Sequence, residues 1–536
     1  LRAEKHLPQS ESVHRRTASL SALFRVVSQV LMLIVGVLAL LPILYLAIRA
    51  LDADNVMLNY LLSAQGVAVV VRSLGLMFAV MAGTLVIGIP FAWLSARTNL
   101  PFRKVWLALG LLPMVTPTYL IAVSHIFAFG PRGLLQQMLE PLFGIERLPP
   151  IYGFFGAWLV LTLCTFPYVV LPLSFAFTRV TPILEDAASD LGASRWEVLR
   201  RVILPLSCPA ILSGTSLAGL YTLGDFGAPT IMRYSNFVQV IYLQYTSSFD
   251  RHRGAVLALI LVFITLVLLI LARRADRNIA HTTTGTPDHA VKPVKLGRWL
   301  IPALLFCGVI ILLGVVTPFG VILHWLVNKT VTRSVEYDAL QLTFNTLGVS
   351  GVTAIITGLI AISLASVLQA TRSPLIRTIG RLPFIGYVLP GIVVGLAMIF
   401  FTSRYAPAIY QTLPVLISAY VIRFLPISLS ATRTAFEQVN PRLEESAQSL
   451  GAMAWQVMTR VKLPLSRSGI IGGMVLVFLA VMKELPIALM LAPTGFHTLA
   501  YRIWSAYQEA IFSQIGLPGL LLMLTSVMSI DRKSVV

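Results

Sequence analysis

Long apolar runs recur along the whole chain, and no other feature limits its fold so severely. A helix rises about 1.5 Å per residue and the hydrocarbon core of a bilayer is about 30 Å thick, so a membrane span takes about 20 mainly apolar residues. Runs of that kind lie near 24–48, 66–95, 104–128, 153–177, 208–232, 255–272, 299–325, 343–368, 383–403, 407–430, 469–492 and 510–530. They predict an all-α, polytopic membrane protein with about 12 transmembrane helices. Composition agrees: 57% of residues are hydrophobic, 12% are charged, and the mean hydropathy is +0.83, from which a soluble surface cannot be built. The first run is too long for the apolar region of a signal peptide and is expected to stay as a span.

The net charge of +19 would suggest nucleic acid in a soluble protein, but its distribution suggests membrane topology instead. With the N-terminus inside, the inner loops collect most cations, among them Arg97, Arg103, Lys104, Arg195, Arg200, Arg201, Arg433, Arg442, Arg460 and Lys462. The outer loops hold far fewer. A polar, Thr- and Pro-containing stretch at 273–298 divides two halves of six spans each. The expected organisation is a cytoplasmic segment 1–23, a first transmembrane half 24–272, a flexible cytoplasmic linker 273–298, a second half 299–530 and a tail 531–536. Cys164, Cys208 and Cys307 are scattered through apolar sequence and imply neither a disulfide framework nor a metal cluster.

The halves share a long polar repeat. TPILEDAASDLGASRWEVLRRVILPLS, at 181–207, returns as NPRLEESAQSLGAMAWQVMTRVKLPLS, at 440–466. Gly192 and Gly451, Trp196 and Trp455, and Pro205 and Pro464 are each separated by 259 residues, so the register holds throughout. Thr181 and Asn440 are suited to cap a helix that begins at Pro182 or Pro441. Gly192 and Gly451 can stop that helix in the left-handed conformation. Ser194 to Glu197 forms a capping-box sequence, which Met453 in the second copy is expected to lose.

The two stretches resemble the EAA loop of the permease subunits of ATP-binding-cassette (ABC) importers. Its pattern matches Asp186-Ala187-Ala188, Gly192 and Val202 to Pro205, and again Glu445-Ser446-Ala447, Gly451 and Val461 to Pro464. Asp replaces Glu in one copy, Ser replaces Ala in the other, and Val replaces Ile in both. The resemblance implies that each loop is a cytoplasmic coupling loop docked on an ATPase subunit, with Asp186 and Glu445 facing basic groups. It also implies two such subunits, which carry the ATP and Mg, and no cofactor on this chain. The sequence has no Gly-Lys dipeptide, hence no G-x-x-x-x-G-K-[ST] phosphate loop, so the chain is expected not to be the ATPase. More narrowly, LGDFGAPTI at 223–231 and MKELPIALMLAPTGFHTLAYRIW at 482–504 resemble segments of fused, two-core ferric-iron permeases of bacterial inner membranes. His497 stands where that pattern has Asp. By this resemblance a periplasmic binding protein delivers substrate, and its docking face on the outer side would include Tyr242, Tyr245 and Asp250.

Ionisable groups inside spans are costly, from about 2.5 kcal/mol at the centre, and so mark candidate sites. Asp225 and Glu484 are again 259 residues apart. They are expected either to line a path for a trivalent cation or to hold helix breaks, with Lys483 balancing Glu484. Arg72 and Arg423 are expected to snorkel from helix ends. His125, His324 and His497 are too scattered to indicate a metal site, and the metal ligands are unknown from sequence. Thiamine, polyamine, sulfate or phosphonate are alternative cargoes on one scaffold. An ion-gradient-driven secondary transporter is the rival class, and the position of the repeat between the fourth and fifth spans of each half disfavours it. No HExxH or GxSxG motif points to a membrane enzyme.

Overall fold

The computed structural model describes residues 9–51, 59, 63–179, 182–246, 251–277, 293–327, 332–371 and 373–528. Among them the chain is mostly helical and contains no strand, apart from one isolated bridge between Thr98 and Val294. Among the described residues eight helices are long and apolar enough to cross a membrane, or up to eleven if each of three bent pairs counts as one span. A shorter apolar helix, Phe512–Ser526, covers the final run.

Two of the bent pairs break an expected span in its interior, and the third bends at the entry to one. Around 104–128, Arg103–Val115 and Thr118–Phe143 meet at 103°, and around 208–232 the entry from Trp196–Leu206 into Cys208–Gly224 turns by 64°. Pro explains the first break: Pro117 disfavours helical geometry in the residue before it, and Thr116 is extended at ψ 132°. The third break repeats this chemistry, with Leu389 extended at ψ 126° before Pro390. Beyond each of these two prolines runs a helix buried on nearly every face, Thr118–Phe129 in one case and Gly391–Tyr405 in the other. Helices apolar all round belong in a core.

Packing divides the chain into two bodies whose limits differ from those of the sequence halves. One body contains Phe344–Phe496 with the first helix up to Tyr45. Its core joins Met32 and Val35 to Leu364, Leu425, Leu429, Phe436 and Ile470, and Tyr45 stacks on Phe400 at 4.6 Å. The other body contains Leu46–Thr343 with His497–Val527. There Phe91, Phe166, Val169, Phe177 and Ile203 pack with Cys307 and Ile311, and Phe127 meets Trp325 edge-on at 5.0 Å. The first span of each sequence half is therefore packed against the core helices of the other half.

The linker expectation narrows. The helix Arg251–Arg277 runs through residues 273–277, and Val294 pairs with Arg97 and Asn99, leaving 278–292 outside the described residues.

Close helix crossings rest on small residues, as is usual where lipid gives helices no hydrophobic reason to associate. A methyl group on Gly88 would sit 3.0 Å from Val169, and one on Gly214 would overlap the carbonyl oxygen of Tyr168. Backbone cannot yield as a side-chain tip can, so Gly214→Ala is expected to destabilise by about 1–3 kcal/mol. Thermal unfolding of the purified protein should show a lowered midpoint, whereas Gly308→Ala, with open space around it, should leave the midpoint unchanged.

Candidate functional site

Each copy of the repeat folds into the same local unit. Pro182–Asp190 and Pro441–Ser449 are short helices, and in the second the Asn440 side chain caps by accepting from the Arg442 N–H at 3.0 Å. Thr181, the corresponding cap of the first, lies outside the described residues. Both helices end in a left-handed glycine, Gly192 at φ 86° and Gly451 at φ 85°. The following N–H groups close the turn, Ala193 to Ala188 O at 3.0 Å and Ala452 to Ala447 O at 2.9 Å. An L-residue at either glycine would meet no atom within 4 Å, so its cost is conformational, roughly 1–2 kcal/mol.

The second short helix begins with a reciprocal cap. In the first copy the Ser194 N–H and hydroxyl both donate to Glu197 Oε2 at 2.9 Å, which holds the Glu197 carboxyl below its ordinary pKa. The second copy keeps half of this device, contrary to expectation: Gln456 Oε1 accepts from the Met453 N–H at 2.9 Å. Next comes one wide, π-type turn in each, Leu199–Ile203 and Met458–Lys462. It ends two residues before Pro205 and Pro464, whose rings would crowd the carbonyl four residues back in a regular helix.

The candidate coupling residues fall into matching surroundings. Asp186, Ala187, Gly192 and Pro205 are exposed, as are Glu445, Ser446, Gly451 and Pro464, while Ala188 and Ala447 are half-buried. Beside them stand apolar side chains that the motif did not single out. Leu191 and Leu450 are each 89% exposed, and Leu184, Trp196, Leu443 and Trp455 are exposed too, every one with its counterpart 259 residues away. Glu185 and Glu444, one residue before the motif acids, stand in the first helical turn, where the positive end of the helix dipole favours a carboxylate, and each also meets a cation. Arg97 Nη2 lies 2.8 Å from Glu185 Oε1, and Lys462 Nζ lies 2.9 Å from Glu444 Oε1. The paired glutamates were detectable from the repeat, but their cations were not, because these come from different elements.

Asp225 and Glu484 sit at equivalent helix breaks. Cys208–Gly224 stops at Asp225 and a short helix, Gly227–Ile231, follows; Leu463–Met482 stops before Glu484 and Pro486–Leu491 follows. Asp225 Oδ2 accepts from the Ala228 N–H at 2.9 Å and Oδ1 from the Thr118 hydroxyl at 2.7 Å. It thus joins its break to the start of the buried helix Thr118–Phe129. At the other break Arg423 faces Glu484, with Nη1 3.4 Å from Oε1, a cation that the sequence reading does not join to it. Arg423 is not snorkelling from a helix end, since it lies within Leu413–Glu437. Gly391 opens the helix beside this pair, and a methyl there would overlap both Arg423 and Glu484. His497 stacks on Tyr501 at 4.6 Å, and among the described residues no three His, Cys, Asp or Glu side chains are grouped to hold a metal ion.

Apolar helices in two repeated sets, broken at buried carboxylates and each carrying an exposed polar loop, define a multi-pass membrane transport protein. The model of the family described as binding-protein-dependent transport system inner membrane component matches residues 88–281 and 354–532. The chain belongs to that family, and is accordingly an ABC importer permease, the translocating and non-catalytic component. It is 28% identical over 503 residues to the Fe(3+)-transport system permease protein FbpB 2 of Haemophilus influenzae, covering 92% of this chain and 95% of that protein. It is 24% identical over 456 residues to the putative ferric transport system permease protein FbpB 1 of the same organism, covering 82% and 72%. The molybdenum transport system permease protein ModB of Escherichia coli is 36% identical over 166 residues, 31% of this chain and 69% of that protein.

A buried charge stripped of its partner costs about 3–5 kcal/mol, whereas removing both charges costs much less. Arg423→Met should therefore lower the unfolding midpoint markedly, and Arg423→Met/Glu484→Gln should recover most of the loss. Equal midpoints for the single and double variants would show that the pair contributes nothing.

Proposed function

We propose that the chain imports ferric iron handed over by a periplasmic binding protein, and that ATP hydrolysis on two separate subunits drives it through the loops at 181–207 and 440–466. The N-terminus and both loops are then cytoplasmic. The observation that carries this reading is the duplicated apolar surface around Leu191 and Leu450. A leucine 89% exposed beside an exposed tryptophan, repeated at the same register in a polar loop, fits a surface normally covered by a partner. Asp186 and Glu445 supply acidic groups at its edge, and the left-handed glycines present the leucines at the tip of the turn. Cargo identity is supported by the names of the relatives that match over most of the chain.

In this reading Asp225 and Glu484 remain the charged positions beside the substrate path. Their contacts suit them also to fix the breaks whose angle the path depends on. The match to molybdenum permeases favours a second cargo, an oxyanion of molybdenum, which uptake of radioactive iron against molybdate would distinguish.

Affinity purification of the tagged chain from its own cell should bring down an ATPase carrying the phosphate loop. Leu191→Asp/Leu450→Asp should abolish that association, and Trp196→Ala or Trp455→Ala should weaken it about tenfold to a hundredfold each. Undiminished association in the double aspartate variant would remove these loops as the docking surface. Because the loops differ at Asp186/Glu445 and Ser194/Met453, Gly192→Pro and Gly451→Pro should impair ATP-driven uptake to unequal degrees.

A further inference from the structure

We infer that Arg97 and Lys462 are positioning residues that tie the two coupling loops to different membrane helices, so that each loop delivers its movement to a different part of the transporter. The inference rests on the coupling-loop reading above and adds the route by which force leaves each loop.

The acceptors are equivalent and the donors are not. Glu185 and Glu444 are 259 residues apart, each in the first short helix of its loop. In the first loop the donor is Arg97, the last residue of the helix Ala64–Arg97 and only 2% exposed. In the second it is Lys462, also buried, in the wide turn that continues into Leu463–Met482, with Nζ 5.2 Å from the centre of the Phe436 ring. The exchange is reciprocal in sequence. At the same 259-residue offset Lys462 corresponds to Ile203, and across the earlier spans, where the offset is 273, Arg97 corresponds to Ala370, as Thr98 does to Thr371 and Pro101 to Pro374. Each of the two glutamates therefore meets a cation supplied from one of two alternative places.

The first tie is also anchored at its root. The Val294 N–H donates to Arg97 O at 2.8 Å, the Asn99 N–H to Val294 O at 3.1 Å, and the Leu296 N–H to Asn99 Oδ1 at 2.9 Å. The end of the linker thus holds the backbone from which Arg97 reaches the loop. Displacement of the helix Pro182–Asp190 acts on Ala64–Arg97 through an ion pair whose cation is buried and whose carboxylate is half-buried. Displacement of Pro441–Ser449 acts on its own continuation, Leu463–Met482. Such pairs resist separation because the buried cation left alone is strongly disfavoured.

The test transplants one arrangement into the other, using the complete transporter with its ATPase subunits in liposomes and radioactive ferric iron on its binding protein. Arg97→Met should leave ATPase association and hydrolysis in place while iron imported per ATP falls about tenfold. Arg97→Met/Ile203→Lys should restore that ratio, since the new lysine can reach Glu185 as Lys462 reaches Glu444. Lys462→Ile should lower the ratio likewise, and Lys462→Ile/Ala370→Arg should restore it. If Arg97→Met fails to fold, Glu185→Gln carries the same test with minimal change of shape. A ratio unchanged in Arg97→Met or Glu185→Gln, or an Ile203→Lys transplant that folds and binds the ATPase without recovery, would overturn the inference. Failure of the wild-type chain to hold any ATPase would instead overturn the coupling-loop reading on which it depends.

Discussion

In hydrocarbon an unpaired backbone N–H or an ion without a counter-charge has no water to turn to, and that constraint governs where this chain bends and where it keeps charge. The breaks at Asp225 and Glu484 free backbone groups and change helix direction, so each needs side chains to hold it. Asp225 does so with a hydroxyl and a backbone N–H, and Glu484 with a guanidinium. Two chemically different solutions thus serve one architectural position. Thr118 at the start of one buried helix is replaced by Gly391 at the start of the other, which leaves room for the larger ion pair.

The same economy extends to the exposed loops, where a glutamate in each is matched by a buried cation of different origin. A fused chain with two non-identical halves can afford such divergence, because each half is always present once and always beside the same partner. The loops are otherwise near copies in glycine conformation, wide turn and exposed leucines. The charged contacts are among the differences between the loops, and there one substitution changes what a helix pulls on.

Much of this was legible in the sequence. Long apolar runs specify helices, and the offset of 259 residues fixes the repeat without any structure. Gly192 and Gly451 were legible because a left-handed helix stop needs glycine. Straightness was not: the breaks at Pro117 and Pro390 follow from local proline chemistry, but apolar periodicity continues through them. Packing partners were not either. That Arg423 faces Glu484 depends on the approach of a helix some sixty residues earlier. Likewise, that Met32 packs with Leu425 while Cys307 packs with Phe166 depends on long-range exchange that no local pattern records.

If ATP drives movement across this protein through the two loops, the decisive experiment is uptake of radioactive ferric iron into liposomes containing the chain and its ATPase, with and without ATP and the iron-loaded binding protein. Uptake is expected only when ATP and the loaded binding protein are both present, unaffected by collapsing ion gradients. Uptake by the chain alone under an ion gradient, without ATP, would contradict it.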